Sequence, residues 1–207
     1  MRTIANIIAL VLSVVFYPLF VPTYGIALFC YAFHSPFIWT LIAILGTLLL
    51  TCLLPISAIA ILIKSGKVKD MQIADARERT MPYLYTTIGF AFWSYLIGAV
   101  LSAPLFLTMV CIGATVAIGI ITWINRYWKI SAHLTGIGGL IGGMMSYYVT
   151  LNLVPAWHTI LIWSLLSLIM MFARLRLNAH TDGQVAAGWL LGIACTCLPY
   201  CIISYVS

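Results

Sequence analysis

The stretch "FIWTLIAILGTLLLTCLLPISAIAILI", residues 37–63, contains no charged residue from one end to the other. A helix that crosses the hydrocarbon core of a bilayer needs roughly 20 consecutive, mostly apolar residues. The whole chain has the same character, because 64% of its 207 residues are hydrophobic, 7% are charged and the mean hydropathy is +1.13. This composition excludes an ordinary water-soluble domain and predicts an all-α integral membrane protein.

Outward from this stretch, turn residues divide the chain into about six or seven apolar runs of membrane-spanning length. The predicted fold is a polytopic helix bundle that forms a single domain over residues 1–207. The first run carries "FYPLFVP", residues 16–22, in its middle, and two prolines there predict a kink or a break. The expected spans are 5–33, 37–63, 83–101, 104–124, 134–153, 156–173 and 184–206.

The charged residues are confined to the N-terminal residues and to three polar segments, 64–82, 125–133 and 174–183. The expected spans place all three segments on one membrane face and leave the other face without formal charge. One interpretation is the positive-inside rule alone, which predicts that this face is cytoplasmic. The other is an anion site where the segments converge. In so hydrophobic a chain, the net charge of +6 indicates this bias or contact with anionic lipid, and not nucleic acid.

Each polar segment contains side chains suited to phosphate chemistry. Arginine binds phosphate oxygens through two parallel hydrogen bonds, and the N-terminus of a helix attracts anions. Two imidazoles can divide the work of a nucleophile and a proton donor, so that no metal or other cofactor is needed. The residues are Arg77 and Arg79 in the first segment, Ser131 and His133 in the second, and Arg174 and His180 in the third.

The third segment resembles the third signature of the type 2 phosphatidic acid phosphatase superfamily, S-R-x5-H-x3-D. Here the corresponding residues are Ala173, Arg174, His180 and Gln184. The second segment resembles the second signature, P-S-G-H, as "ISAH" at 130–133. The order of the blocks and their placement on one face match the family over about residues 64–190, the expected catalytic core.

The first signature, K-x6-R-P, is matched only loosely. Lys69 precedes Arg77 by one residue too many, and Thr80 and Met81 separate Arg79 from Pro82.

The resemblance implies a role for each matching residue. His180 would attack phosphorus and form a phosphohistidine, and His133 would protonate the leaving oxygen. The residues expected to hold the phosphate are Arg174, Arg77, Arg79, Ser131 and Lys69, with Lys129 as a substitute for Lys69.

The family has an aspartate where this chain has Gln184, so the group that orients the His180 imidazole is open. The Gln184 carbonyl is four residues away, on the same face of a helix. Asp182, Asp75 and Glu78 are the alternatives.

The expected activity is that of a metal-independent, membrane-embedded lipid phosphatase. Its substrate would be a phosphomonoester or diphosphate of the phosphatidic acid, phosphatidylglycerol phosphate, polyprenyl diphosphate or lipid A class. An alternative is a catalytically silent relative that binds or transports an anionic lipid. A third hypothesis, a metal-dependent hydrolase using His133, His180 and Asp182, lacks any H-E-x-x-H motif.

The expected location is a bacterial inner membrane, with the bilayer and the lipid phosphate as partners. Typical members of the family would instead place this site on the periplasmic side. A reporter at the C-terminus tests the cytoplasmic orientation, because seven crossings from a cytoplasmic N-terminus would leave it outside. The sequence does not predict an oligomeric state.

Overall fold

The structure, a computed structural model, describes residues 4–69, 76–150 and 157–206, except for the side chains of 76–77, 149–150 and 199–206. Within these ranges the chain is all-helical and contains no strand. A short 3-10 helix, Ala76–Arg79, leads into the fourth helix. The helices are α1 Ile4–Val15, α2 Val21–Ala32, α3 Phe37–Lys64, α4 Thr80–Val100, α5 Leu105–Ile124, α6 Ala132–Thr150, α7 Trp157–Arg176 and α8 Asp182–Val206.

Four of these helices, α3, α4, α5 and α7, are long and apolar enough to cross a membrane. The outer surface of α7 is typical, because Leu161, Leu165, Leu168 and Phe172 are all exposed although they are large and apolar. Such a surface is unfavourable in water and suits lipid. The chain is therefore of the membrane class, and the count of six to seven crossings stays a prediction.

The first expected span breaks at its prolines, as the sequence predicts. α1 ends at Val15 and α2 begins at Val21, with Pro22 in its first turn, where a proline removes no helical hydrogen bond. A helix that ends leaves its last carbonyls without intrahelical partners. The Tyr24 hydroxyl on α2 donates to one of them, the carbonyl of Val15, at 2.9 Å.

The bundle has two chemically different ends. At the polar end, α3 and α7 finish while α4, α6 and α8 begin, and Arg176 donates to the Asn6 side chain of α1 at 3.1 Å. At the aromatic end, the rings of Phe29, Phe33, Phe106 and Tyr147 pack together. α1 thus starts at the polar end and α2 finishes at the aromatic end.

Close packing of α6 on α8 positions the two histidine-bearing segments. A Cβ on Gly138 would collide with the Trp189 carbonyl, and one on Gly192 would collide with the Thr135 carbonyl. The glycines of α6 and α8 therefore let the two helices approach closely. The same packing brings the starts of both helices together, so that the Ser131 amide donates to the Gln184 carbonyl at 3.2 Å.

Candidate functional site

A cavity of about 220 Å³ opens among the helices and reaches the polar end. Four of the predicted site residues line it there: Arg79, His133, Arg174 and His180. They come from all three polar segments of the sequence, so the fold does bring these segments to one place. Most of the remaining wall is apolar.

His180 lies in the corner between α7 and α8. Asn178 makes this corner with a left-handed backbone, φ +51°, which asparagine tolerates better than most residues. The Nδ1 atom of His180 lies 3.1 Å from the Lys129 carbonyl oxygen and 3.3 Å from Gln184 Oε1. Both atoms are acceptors, so Nδ1 carries the proton and Nε2 keeps its lone pair. This is the tautomer that a nucleophilic imidazole needs.

Gln184 has a second role at the start of α8. Its Oε1 also accepts the Thr181 amide at 3.2 Å, which is one half of the T-x-x-Q capping box spelled by residues 181–184. The cap fixes the amide group that contacts His180. Asp182, the other candidate for orienting His180, is exposed at the first position of α8 and is not a hydrogen-bond partner of that imidazole.

The surroundings of His180 keep its imidazole neutral. Burial, followed by the nearby Arg174 charge, lowers the pKa of His180 to about 4. Lys129 is close to the same positive charges, because burial, then Arg79 and Arg174, lower the pKa of its ammonium group. At neutral pH the His180 nitrogen is therefore unprotonated and stands beside fixed cations.

His133 enters α6 in contact with the broken first helix. Its Nε2 donates to the Ser13 carbonyl at 3.0 Å, and its ring meets the Tyr17 ring edge-on at 5.9 Å. The Ser13 carbonyl is available because α1 ends at Val15 and cannot use it. Nδ1 is thus the His133 nitrogen left for proton transfer.

Two arginines, Arg79 buried and Arg174 partly buried, make this end of the cavity positive. Arg174, in the last turn of α7, donates through Nη1 to the Ser13 hydroxyl at 3.1 Å. Its Nε is buried and has no partner among the described atoms. Arg79 is only 9% exposed and is hydrogen-bonded with Tyr83. A buried guanidinium with an unsatisfied N–H is costly unless an anion occupies the site.

The other predicted phosphate-binding residues lie in different surroundings. Ser131 is buried, and its hydroxyl has no partner among the described residues, although it is not part of the cavity wall. Lys69 is exposed, and its amide donates to the Glu78 carboxylate at 2.9 Å, away from His180. The side chain of Arg77 and the whole of Asp75 lie outside the described residues.

Sequence reasoning missed three residues of the site: Ser13, Tyr17 and Tyr83. All three lie in expected membrane spans, and Tyr17 belongs to the stretch 16–22 where a kink or break was predicted. The prolines at 18 and 22 were the available signal, because a helix break inside a membrane exposes backbone groups that attract polar partners.

No three His, Cys, Asp or Glu side chains in the described part of the chain are close enough to hold a metal ion. His133, His180 and Asp182, the set named for a metal-dependent hydrolase, do not form such a group. Comparisons with protein-family models, with curated proteins and with solved structures find no match for this chain.

Proposed function

We propose that this protein is a metal-independent, membrane-embedded phosphatase that removes a phosphoryl group from a lipid phosphate or diphosphate. One observation carries the proposal. A neutral imidazole, His180, has its Nδ1 proton held by two acceptors and shares a mostly apolar cavity with Arg79 and Arg174. The cationic end suits a phosphate, and the apolar wall suits a lipid. The positive-inside rule alone would explain the basic residues, but it requires neither a cavity nor an oriented histidine.

The reaction divides into two displacements. In the first, His180 Nε2 attacks phosphorus, the bond from phosphorus to the lipid oxygen breaks, and that oxygen takes a proton from His133. In the second, water attacks the phosphohistidine and gives a proton to His133, the phosphorus–nitrogen bond breaks, and inorganic phosphate leaves. The bound phosphate dianion favours the protonated form of His133 before the first step.

The positive groups hold and neutralise the phosphoryl oxygens through both steps. Arg174 Nε is a buried donor with no partner among the described atoms, and the Ser13 hydroxyl fixes the rest of that guanidinium. Arg79 stands where the 3-10 helix joins α4, and it lines the cavity near Arg174. Lys129, close to both arginines, is a better candidate than Lys69 for a third cation.

The test is phosphate release from a panel of lipid phosphates and diphosphates, in detergent with EDTA. Wild type should release phosphate, and His180→Ala should lose at least about a thousandfold in rate, as expected when a covalent nucleophile is removed. His158→Ala is the matched control, because His158 is exposed at the start of α7, far along the helix from Arg174. An acid-labile phosphoryl label on wild type, absent from His180→Ala, would identify the intermediate.

A second candidate function, binding of an anionic lipid without turnover, is favoured by one feature of the site. Neither partner of His180 Nδ1 is charged, so nothing there stabilises the imidazole as it becomes positive during attack. If folded wild type binds lipid phosphate tightly and releases no phosphate from any member of the panel, the phosphatase proposal is wrong and this one stands.

A further inference from the structure

The apolar part of the cavity follows one face of α4 and one face of α5 for most of their lengths. On α4 the wall runs from Arg79 to Trp93, and on α5 from Ile121 to Leu107. Each range spans about 14 residues, or roughly 21 Å at the rise of an α-helix. One leaflet of a bilayer is only about 15 Å deep, since the whole hydrocarbon core is about 30 Å thick. The apolar wall is therefore longer than one leaflet is deep.

The cavity has a floor at the aromatic end. Phe29, Trp93 and Leu107 line it there, and all three side chains are buried. The Trp93 ring occupies the space that a Cβ on Gly46 would take, so the indole is held against α3. Further rings, Phe33 and Phe106, stack behind Phe29 with centroids 5.0 Å apart. The floor is thus formed by side chains from three helices, α2, α4 and α5.

The cavity is narrow for its length. Its volume of about 220 Å³ is below the roughly 300–1,000 Å³ of pockets that hold drug-sized ligands. Such a narrow space suits one hydrocarbon chain better than two.

We propose that this apolar channel encloses one hydrocarbon chain of the lipid phosphate, and that Phe29, Trp93 and Leu107 limit the length of the chain. The inference rests on the proposed function for the position of the phosphate beside Arg174. It adds a substrate class: a phosphate or diphosphate on a single chain, or on a lipid that places only one of its chains inside the bundle. A lipid whose chains all stay in the bilayer would not enter the channel.

The experiment measures two properties with monoalkyl phosphates of increasing chain length. The first is kcat/KM for phosphate release by wild type. The second is the thermal stabilisation of His180→Ala, which reports binding even where turnover is lost. Both should rise with chain length and then fall when the chain reaches the floor.

Ala114→Phe narrows the middle of the channel, because Ala114 lies in its wall halfway along α5. For the longest chains that wild type accepts, kcat/KM should fall roughly tenfold or more, the usual scale for overfilling an apolar site. For short chains, kcat/KM should stay unchanged. Val116→Phe is the matched control, since Val116 lies on the same helix but is exposed. If Ala114→Phe does not fold, Trp93→Ala supplies the opposite test and should extend the accepted length.

The outcomes separate the two proposals. Stabilisation of His180→Ala that depends on chain length, without turnover by wild type, would overturn the phosphatase and leave the channel standing. Turnover that is indifferent to chain length, and equal for Ala114→Phe and Val116→Phe, would overturn the channel and leave the phosphatase standing.

Discussion

The two ends of the bundle are built on different principles. At the aromatic end, Phe33 contacts Phe106 and Tyr147 at 5.0 Å between ring centroids, and ring packing alone explains the arrangement. At the polar end, Arg79 is buried, Arg174 is partly buried near it, and the buried Nε–H of Arg174 has no partner among the described atoms. Packing does not explain that arrangement, because it lowers stability. The difference fits the proposed function, in which one end holds the fold together and the other binds the phosphate.

The largest loss of activity is expected when Arg174 is substituted. Arg174→Gln should lower kcat/KM for phosphate release by about 10²–10³, the scale for losing one donor to a developing oxyanion. Arg176→Gln is its control on the same helix, since Arg176 is exposed and contacts only Asn6 among the described residues. Equal losses in both variants would mean that charge at the membrane surface, and not a site, is being measured.

The next effect is a shift in pH dependence. With a pKa of about 4, His180 stays unprotonated at Nε2, so its acid limb in kcat/KM should lie near pH 4 and not near 6.5. Gln184→Asp places an anion beside Nδ1, favours the imidazolium form and raises this pKa by about 1–3 units. The ratio of variant to wild-type activity should therefore fall as the pH drops from 7.5 to 5.

Ionisation of the substrate affects wild type and Gln184→Asp equally, so it cancels in the ratio of their activities. Asp182→Asn serves as the control, because Asp182 is exposed and is not a partner of His180. A flat ratio for Gln184→Asp would contradict the role of the Gln184 carbonyl in orienting His180.

The smallest effects are expected on the free energy of unfolding, for one substitution at each end of the bundle. Phe106→Ala should lower the free energy of unfolding by about 1–3 kcal/mol, less than in a soluble core because lipid can replace the lost contacts. Ser131→Ala should change it by only about 0.5 kcal/mol or stabilise slightly, since the buried hydroxyl has no partner among the described residues. Thermal unfolding in detergent measures both. A clear loss of stability in Ser131→Ala would show that this hydroxyl serves the fold and not the phosphate.

The helices and their order were readable from the sequence because apolar runs, prolines and Asn178 act locally. The break after Val15, the turn at 102–104 and the corner before His180 all depend on the residues within each stretch.

The partners of the two histidines were much harder to predict. One is a backbone carbonyl of Lys129 and the other is a backbone carbonyl of Ser13, and every residue has a carbonyl. Side-chain identity therefore carries no signal for either contact. Gln184 was predicted because a spacing of four residues places two side chains on one helix face, a local rule.

The break in the first helix also bears on how the chain assembles in a membrane. The Ser13 carbonyl receives its proton donor from His133, 120 residues later in the sequence. In hydrocarbon an unpaired carbonyl costs several kcal/mol, so the end of α1 depends on a partner from another helix. That partner exists only after α6 has been synthesised, so the contact that completes the end of the first helix forms late.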